Sequence, residues 1–440
     1  MNLEMFLGLG GILVMLLLIL FAGMSPGLAM LLVGTIGSMI LMPEFSLEAL
    51  LAGPTGAEVW SVFSNYGFTV IPLFVLLGEA MFHAGYSERL FQAAQTWFGQ
   101  KRGGLAITTL LASAGFSAIC GSNTATAATM GCVALPPMTA QGYHKELKCG
   151  SIAVGSTLGV VIPPSIVLVV YGLYTGSSIS KLFAGSLLPG SILTLGLVAT
   201  VLLLCAKHPD WAPGGAPHTL RERLKSLGSV VEVAALFLLI MGAMFTGVVT
   251  PTEAAGFGTF CGIAWCLLRR HLDKDGLVKS LKDTLHISGM VFLILAGATV
   301  FGKFLVMTRL PFQLADAVSQ LSLPPFCVLL AIALCYLVGG CLMDSLAFLM
   351  ISLPLFQPLV RQLGYDPIWF GQVICLVTTL GAVTPPVGVS SFIVAGMSKD
   401  TSAAQVFKGS LFFLPAYAFA FLMLVLFPNG MVGAIANLVK

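Results

Sequence analysis

The sequence predicts an all-α polytopic membrane protein built on an inverted repeat, and three observations carry that expectation. The first is composition: of 440 residues, 57% are hydrophobic and only 9% are charged, with a mean hydropathy of +0.98. A soluble domain of that size would lack the surface charge that keeps it dissolved. The second is a pair of polar islands in apolar surroundings, GSNTATAATMG at Gly121–Gly131 and GGCLMDSLAF at Gly339–Phe348. The third is a repeat at an offset of 222 residues, in which LGVVIPP (Leu158 to Pro164) returns as LGAVTPP (Leu380 to Pro386).

Taken along the chain, the first element is MNLEMFLGLGGILVMLLLILFAG. It has neither the basic leader nor the small-residue cleavage site of a signal peptide and is expected to be a retained first span. Ten spans are expected, near 5–23, 26–42, 67–84, 149–172, 184–206, 229–249, 254–268, 285–306, 368–397 and 409–428. The segments 105–138 and 325–358 are expected to enter and leave on the same side, as re-entrant helical hairpins, the alternative being two short, tilted spans with a polar external loop. With the termini outside, sixteen Lys and Arg fall on inside loops and four (Lys181, Arg309, Arg361, Lys440) outside, with Lys303 within a span. That is the positive-inside bias, and making either hairpin a full crossing would invert everything after it. Arms of about 15 residues reach ~23 Å, short of a ~30 Å hydrocarbon core. A tip that stops at mid-depth must be covered by protein or line a wet cavity.

The 222-residue shift also places Gly142-Tyr143 on Gly364-Tyr365, Pro136 on Pro358 and Ser122 on Asp344. Upstream the register slips, with Phe91-Gln92 answering Phe312-Gln313 and Gly78 answering Gly302. Five expected spans lie between the start of 67–84 and the start of its counterpart 285–306, so the second copy enters the membrane with opposite polarity. Inverted repeats with broken helices are the architecture of secondary transporters. The expected organisation is N-terminal spans at 1–66, a first repeat at 67–206, a connecting region of two spans and two cytoplasmic loops at 207–284, and a second repeat at 285–430.

Each hairpin is followed by a span carrying a Pro-Pro pair, Pro163-Pro164 or Pro385-Pro386. Proline lacks the amide donor and clashes with the preceding turn, so these spans should break and free the carbonyls of Leu158–Ile162 and Leu380–Thr384. Gly159 and Gly381 allow another backbone to approach. Ser122, Asn123 and Thr124 suit the cap and first turn of the second arm, and their oxygens can ligate a cation or a substrate carboxylate. Asp344-Ser345 caps the second hairpin in the same way, and its charge favours a cation nearby. Plain helix capping accounts for the same residues and stays open here.

Other chemistry is thinly supported. Glu79 and Lys303 lie in repeat-related spans, where intramembrane charges are functional candidates that can equally pair, snorkel or face a partner. Gly297–Phe304 imitates a phosphate loop but lacks the final Ser/Thr and the preceding strand. PTEAA at Pro251–Ala255 reads as a helix start. The ten cysteines form no CxxC pair and no HExxH occurs, so no structural zinc site, disulfide framework or zinc protease is indicated. The small net charge of +3 implies no nucleic acid partner.

FSAICGSNTATAATMGCVALPPM, GSTLGVVIPPSIVLVVYG, LFAGSLLPG, TPTEAA, GYDPIWFG and TTLGAVTPPVGV together resemble the large membrane subunit of tripartite ATP-independent periplasmic (TRAP) transporters, of the ion transporter superfamily. The matches run from about Ile71 to Gly396. The resemblance implies an elevator-type importer of small organic anions (C4-dicarboxylates, keto acids or sugar acids such as sialic acid) in a bacterial inner membrane, driven by sodium and using no other cofactor. It implies two partners, a small four-helix membrane subunit on a separate polypeptide and a periplasmic substrate-binding protein. Its sodium and substrate region maps onto Ser122, Asn123, Thr124, Gly159, Pro163, Pro164, Asp344, Ser345, Gly381, Thr384, Pro385, Pro386 and Gly388. Sodium is expected at Ser122, Asn123, Asp344 and Thr384 with backbone carbonyls. Asn123 stands where the family commonly has a second serine. The competing expectations are a stand-alone exchanger or exporter of the same superfamily, and an intramembrane enzyme using Asp344 or Glu79, for which no second catalytic group stands at motif spacing.

Overall fold

The computed structural model describes residues 3–42, 46, 48, 53–321 and 323–439. Lys440, counted above among the outside basic residues, lies outside them. The described residues are helical with no strand. Among the described residues six helices are long and apolar enough to cross a bilayer, or seven if the bent pair near the C-terminus is one span. The chain divides into two compact units.

One unit comprises Met1–Thr69, Leu285–Tyr336 and Asp344–Pro367. Its helices are α1 (Leu3–Leu20), α2 (Pro26–Leu41) and α3 (Pro54–Phe63), with α15 (Leu310–Gln320) and α17 (Ser345–Gln362) from later in the chain. Small residues bring its backbones together, as they do where no hydrophobic drive separates helix from lipid. A Cβ on Gly27 would lie 2.6 Å from the Leu293 carbonyl oxygen, and one on Gly34 would lie 2.8 Å from the Phe301 nitrogen. Lys303 finds its ion partner here, with Nζ 3.7 Å from Glu58 Oε1.

The other unit comprises Val70–Thr284, Leu337–Met343 and Ile368–Lys440. It opens with α4 (Val70–His83), the amphipathic α5 (Tyr86–Phe98) and the antiparallel pair α6 (Gly104–Cys120) and α7 (Asn123–Ala140). Then come α8 (Lys145–Ser156), the single turn α9 (Leu158–Val161), α10 (Ile166–Thr175) and α11 (Ile179–Lys207). Two helices with capping boxes follow, α12 (Leu220–Phe245) and α13 (Pro251–Leu268). In the PTEAA start, Glu253 Oε2 accepts from the Thr250 amide at 2.8 Å, so the box holds both ends of the first turn.

Helix α14 (Lys274–Met307) is 34 residues long, beginning in this unit and ending in the other. The expected span covered only its apolar part, because Lys274, Lys279, Lys282 and Asp283 mask the first turns in a hydropathy reading. After α16 (Pro325–Leu342), itself long and apolar enough to cross, the unit closes with α18 (Pro367–Gly381), α19 (Val389–Met397), α20 (Ala403–Leu411) and α21 (Leu414–Leu426). The last two, expected as one span at 409–428, meet at 46°. Pro415 sits in the first turn of α21, where its missing amide ends the preceding ladder.

The 222-residue offset returns in the element boundaries. Helices α7 and α17 each hold 18 residues, with caps at Ser122 and Asp344 and last residues Ala140 and Gln362. Gly142 and Gly364 follow them with φ of 72° and 75°, and the Pro163-Pro164 and Pro385-Pro386 bonds are both cis.

Candidate functional site

The first hairpin turns at Gly121, which caps α6 with φ of 65°. Ser122 then leaves in extended conformation and its Oγ accepts the Ala125 amide at 3.4 Å, which meets one of the unpaired donors of the α7 N-terminus. The Ser122 and Thr124 hydroxyls lie 3.1 Å apart. Asn123, 3% exposed, accepts the Thr124 amide on Oδ1 at 3.0 Å. The Ser122 carbonyl is already engaged, accepting from Thr126 Oγ1 at 2.7 Å.

This tip rests on the first broken span. A Cβ on Gly159 would stand 2.6 Å from the Ser122 carbonyl oxygen, and one on Gly121 would stand 2.5 Å from that of Pro164. The Ile166 amide donates to the Gly121 carbonyl at 3.4 Å. Only glycine permits these approaches. At the break, Ile162 is extended, and Ser165 restarts the helix by accepting the Leu168 amide at 3.4 Å. The helical donors for the Gly159 and Val160 carbonyls would be Pro163 and Pro164, which have no N–H.

The second broken span closes on the last turn of α16. The Val387 and Gly388 amides donate to the Cys341 carbonyl at 3.2 and 2.8 Å. Thr384 Oγ1 lies 2.9 Å from Cys341 Sγ and 3.1 Å from the Gly381 carbonyl, and a Cβ on Gly381 would meet Leu337 O at 2.6 Å. Gly388 turns the chain with φ of 53°. Helix α19 packs on α7, where a Cβ on Gly131 would lie 2.7 Å from Met397 Sδ.

The structure therefore brings Ser122 and Asn123 against Gly159 and the adjoining Gly121 against Pro164, with Thr124 beside Ser122 and Pro163 next to Pro164 in the break, and places the helix that follows Gly381, Thr384, Pro385, Pro386 and Gly388 alongside α7. Asp344 and Ser345 belong to the other unit, where Asp344 caps α17 by accepting the Leu346 amide on Oδ2 at 3.0 Å and Ser345 is buried. The expectation of ten freed carbonyls is too generous. Leu158 O accepts from Ile162, Leu380 O from Val383, Gly381 O from Thr384 and Ala382 O from Ser390, while Val383 O accepts from Ser391 Oγ, because each break folds into tight turns that reuse them.

Three neighbouring residues escaped the sequence reading: Ser165, Cys341 and Ser390. The Ser390 hydroxyl is buried with no hydrogen-bond partner among the described residues. The Pro-Pro-Ser run was a legible signal for Ser165. The repeat hid Ser390, whose counterpart under the shift is Leu168.

Comparison with known proteins bears on this geometry. The model of the tripartite ATP-independent periplasmic transporter family, DctM component, matches residues 13–430. The C4-dicarboxylate TRAP transporter large permease protein DctM of Pseudomonas aeruginosa is 32% identical over 78% of this chain and 80% of its own length. The sialic acid TRAP transporter large permease protein SiaM of Vibrio cholerae is 31% identical over 86% of this chain and 87% of its own. Among solved structures, the YdaH transporter of Alcanivorax borkumensis aligns with a TM-score of 0.61 at 14% identity, covering 86% of this chain and 88% of that one. At that identity the likeness concerns the fold.

Proposed function

Because the chain belongs to the DctM family of tripartite ATP-independent periplasmic transporters, we propose that it imports a small organic anion in symport with sodium by an elevator motion. The family fixes the coarser facts: this is the large permease subunit of a TRAP transporter, a multi-pass inner-membrane protein and not an enzyme. Large permeases of this kind work with a small membrane subunit and a periplasmic binding protein. The substrate class rests on relatives named for C4-dicarboxylates and sialic acid, whose shared chemistry is a carboxylate on a small polar body.

The observation that carries the sodium reading is the first tip on its broken span. Two hydroxyls, Ser122 and Thr124, stand 3.1 Å apart at this tip, and the Ser122 backbone packs on Gly159, which with Val160 holds the carbonyls that proline has deprived of helical donors. Hard neutral oxygens of this kind suit an alkali cation, and the α7 N-terminus beside them favours an anion. Cation and carboxylate then stabilise one another, which couples their binding. In the second half Asp344 contributes a full charge to cation binding. The inverted repeat supplies two such breaks with opposite polarity, and the body carrying the first hairpin and the two broken spans is the one that moves in the elevator reading.

The test is uptake in proteoliposomes holding this chain and its small subunit, with the binding protein outside. Uptake should require an inward sodium gradient, and Asp344→Asn should raise the sodium concentration for half-maximal uptake. Equal uptake driven by protons alone would sink the sodium reading. Transport by this chain without its partners would favour the stand-alone exchanger.

A further inference from the structure

Away from the hairpins, three side chains from two helices meet at the end of α4. Glu79 and His83 stand four residues apart, which places them one above the other on the same helix face. Asp283 comes from the early turns of α14. His83 Nε2 lies 2.8 Å from Asp283 Oδ2 and 3.9 Å from Glu79 Oε2, and one ligand atom from each residue falls within 4.8 Å of the others. A side chain links the two helices here, with Ser280 Oγ donating to the Glu79 carbonyl at 3.3 Å.

A histidine–aspartate pair explains only part of this arrangement. The Glu79 side chain is 12% exposed, and its carboxylate accepts no hydrogen bond from the described residues; its nearest cationic partner is His83 Nε2 at 3.9 Å, an ion-pair distance longer than a hydrogen bond. A largely buried carboxylate held only by so long an ion pair is costly. Two carboxylates around one imidazole also leave the group negative even when His83 is protonated.

We infer that Glu79, His83 and Asp283 form a binding site for one divalent transition-metal ion. One imidazole nitrogen and two carboxylate oxygens, with no thiolate, suit Zn²⁺, Co²⁺ or Ni²⁺ rather than copper(I), and the nitrogen ligand disfavours magnesium and calcium. At metal–ligand bonds of ~2.0–2.2 Å, tetrahedral ligands stand ~3.4 Å apart. The His83–Asp283 separation therefore opens by about half an ångström and the Glu79–His83 separation closes by as much, both within the reach of side-chain rotation. Asp283 is 52% exposed on its side chain, which leaves an entry path and a water as fourth ligand. The ion is distinct from the transported sodium: it lies on other residues, and its ligands include nitrogen. Once bound, it ties α4 to the start of α14, the helix that continues from one unit into the other.

The experiment is a Co²⁺ titration of the purified full chain without a histidine tag, followed by the visible absorption of the bound ion, with Zn²⁺ as competitor. One equivalent should bind and be displaced by Zn²⁺. His83→Ala and Asp283→Ala should each weaken binding at least tenfold, while His218→Ala, on a different helix approach, should bind as the unmodified chain does. Half-exposed Asp283 tolerates truncation, so Asp283→Ala carries the test should His83→Ala fail to fold. Binding of equal stoichiometry and affinity in the Asp283→Ala and unmodified chains, or no bound equivalent at all, overturns the assignment.

Discussion

Lys148 is the most deeply buried cation of the transporter's second unit, 1% exposed on its side chain, and its pairing with Asp400 predicts an asymmetry between two substitutions. Its Nζ donates to both Asp400 oxygens and to Thr139 Oγ1, each at 2.9 Å. All three ammonium donors are thus used. Asp400 lies in the turn between α19 and α20, outside the spans, and its side chain is 42% exposed. Replacing Asp400 with alanine strands a buried charge with two lost charge-assisted hydrogen bonds. Such losses cost 3–5 kcal/mol in dry surroundings, and water entering beside Asp400 reduces this to about 3 kcal/mol. Replacing Lys148 with methionine removes the buried charge itself, leaves a half-exposed carboxylate that water solvates, and should cost about 1 kcal/mol. The Lys148 hydrogen bonds hold the Asp400 carboxyl at about 2, below the ordinary 3.8. A depressed carboxyl pKa stabilises the fold above the unfolded value, so this contribution is complete above about pH 4 and fades as pH falls towards 2. Thermal unfolding in detergent measures all of it: Asp400→Ala should lower the midpoint clearly more than Lys148→Met, and adding Lys148→Met to Asp400→Ala should recover most of the loss. If Lys148→Met proves as harmful as Asp400→Ala, the buried-charge reasoning is wrong.

Four further substitutions separate packing from chemistry. Gly159→Ala puts a methyl group 2.6 Å from the Ser122 carbonyl, against backbone that cannot yield. It should cost about 1–3 kcal/mol and most of the uptake. Gly396→Ala, with no atom within 4 Å of its Cβ, should leave uptake intact and stabilise α19 by up to about 1 kcal/mol. Ser122→Ala loses a long cap bond of 3.4 Å and so about 0.5–1 kcal/mol, yet it should raise the sodium requirement for uptake. An unchanged sodium titration would reduce Ser122 to a cap. Tyr86→Phe removes a buried hydroxyl that donates to Glu232 at 2.6 Å. It should lower stability by about 1–2 kcal/mol in a melting assay, because Glu232 keeps Arg269 at 3.3 Å.

Much of the site was legible because its determinants are local. Ser122 and Asp344 stand at cap positions that any helix beginning there would use, and Pro163-Pro164 removes donors wherever it occurs. The offset of 222 residues then tied two distant stretches together without reference to packing. Features set by tertiary contact stayed hidden. The charged first turns of α14 look like loop until Ser280 is seen against Glu79, 201 residues away. The carbonyls at the second break look free until Ser390 and Ser391 fold back on Ala382 and Val383. Lys303 carried no sign that its partner would be Glu58.

The two halves agree where backbone geometry is at stake and differ where chemistry is. Helix length, capping position, the glycine after each second arm and the Pro-Pro break coincide under the shift. The cap residue itself changes from the neutral Ser122 to the charged Asp344. Serine and aspartate cap helices about equally well, so capping cannot explain the difference. Asp344→Ser is therefore the discriminating substitution. Serine keeps an oxygen for the first-turn amides of α17, now served by Asp344 Oδ2 at 3.0 Å from Leu346 N, and the melting midpoint should hold. Asp344→Ala should lower it by the ~1 kcal/mol of a lost cap. The sodium concentration for half-maximal uptake should rise in both. If Asp344→Ser instead transports with unaltered sodium dependence, Asp344 is a cap like its counterpart, and the charge on the second tip has no part in coupling.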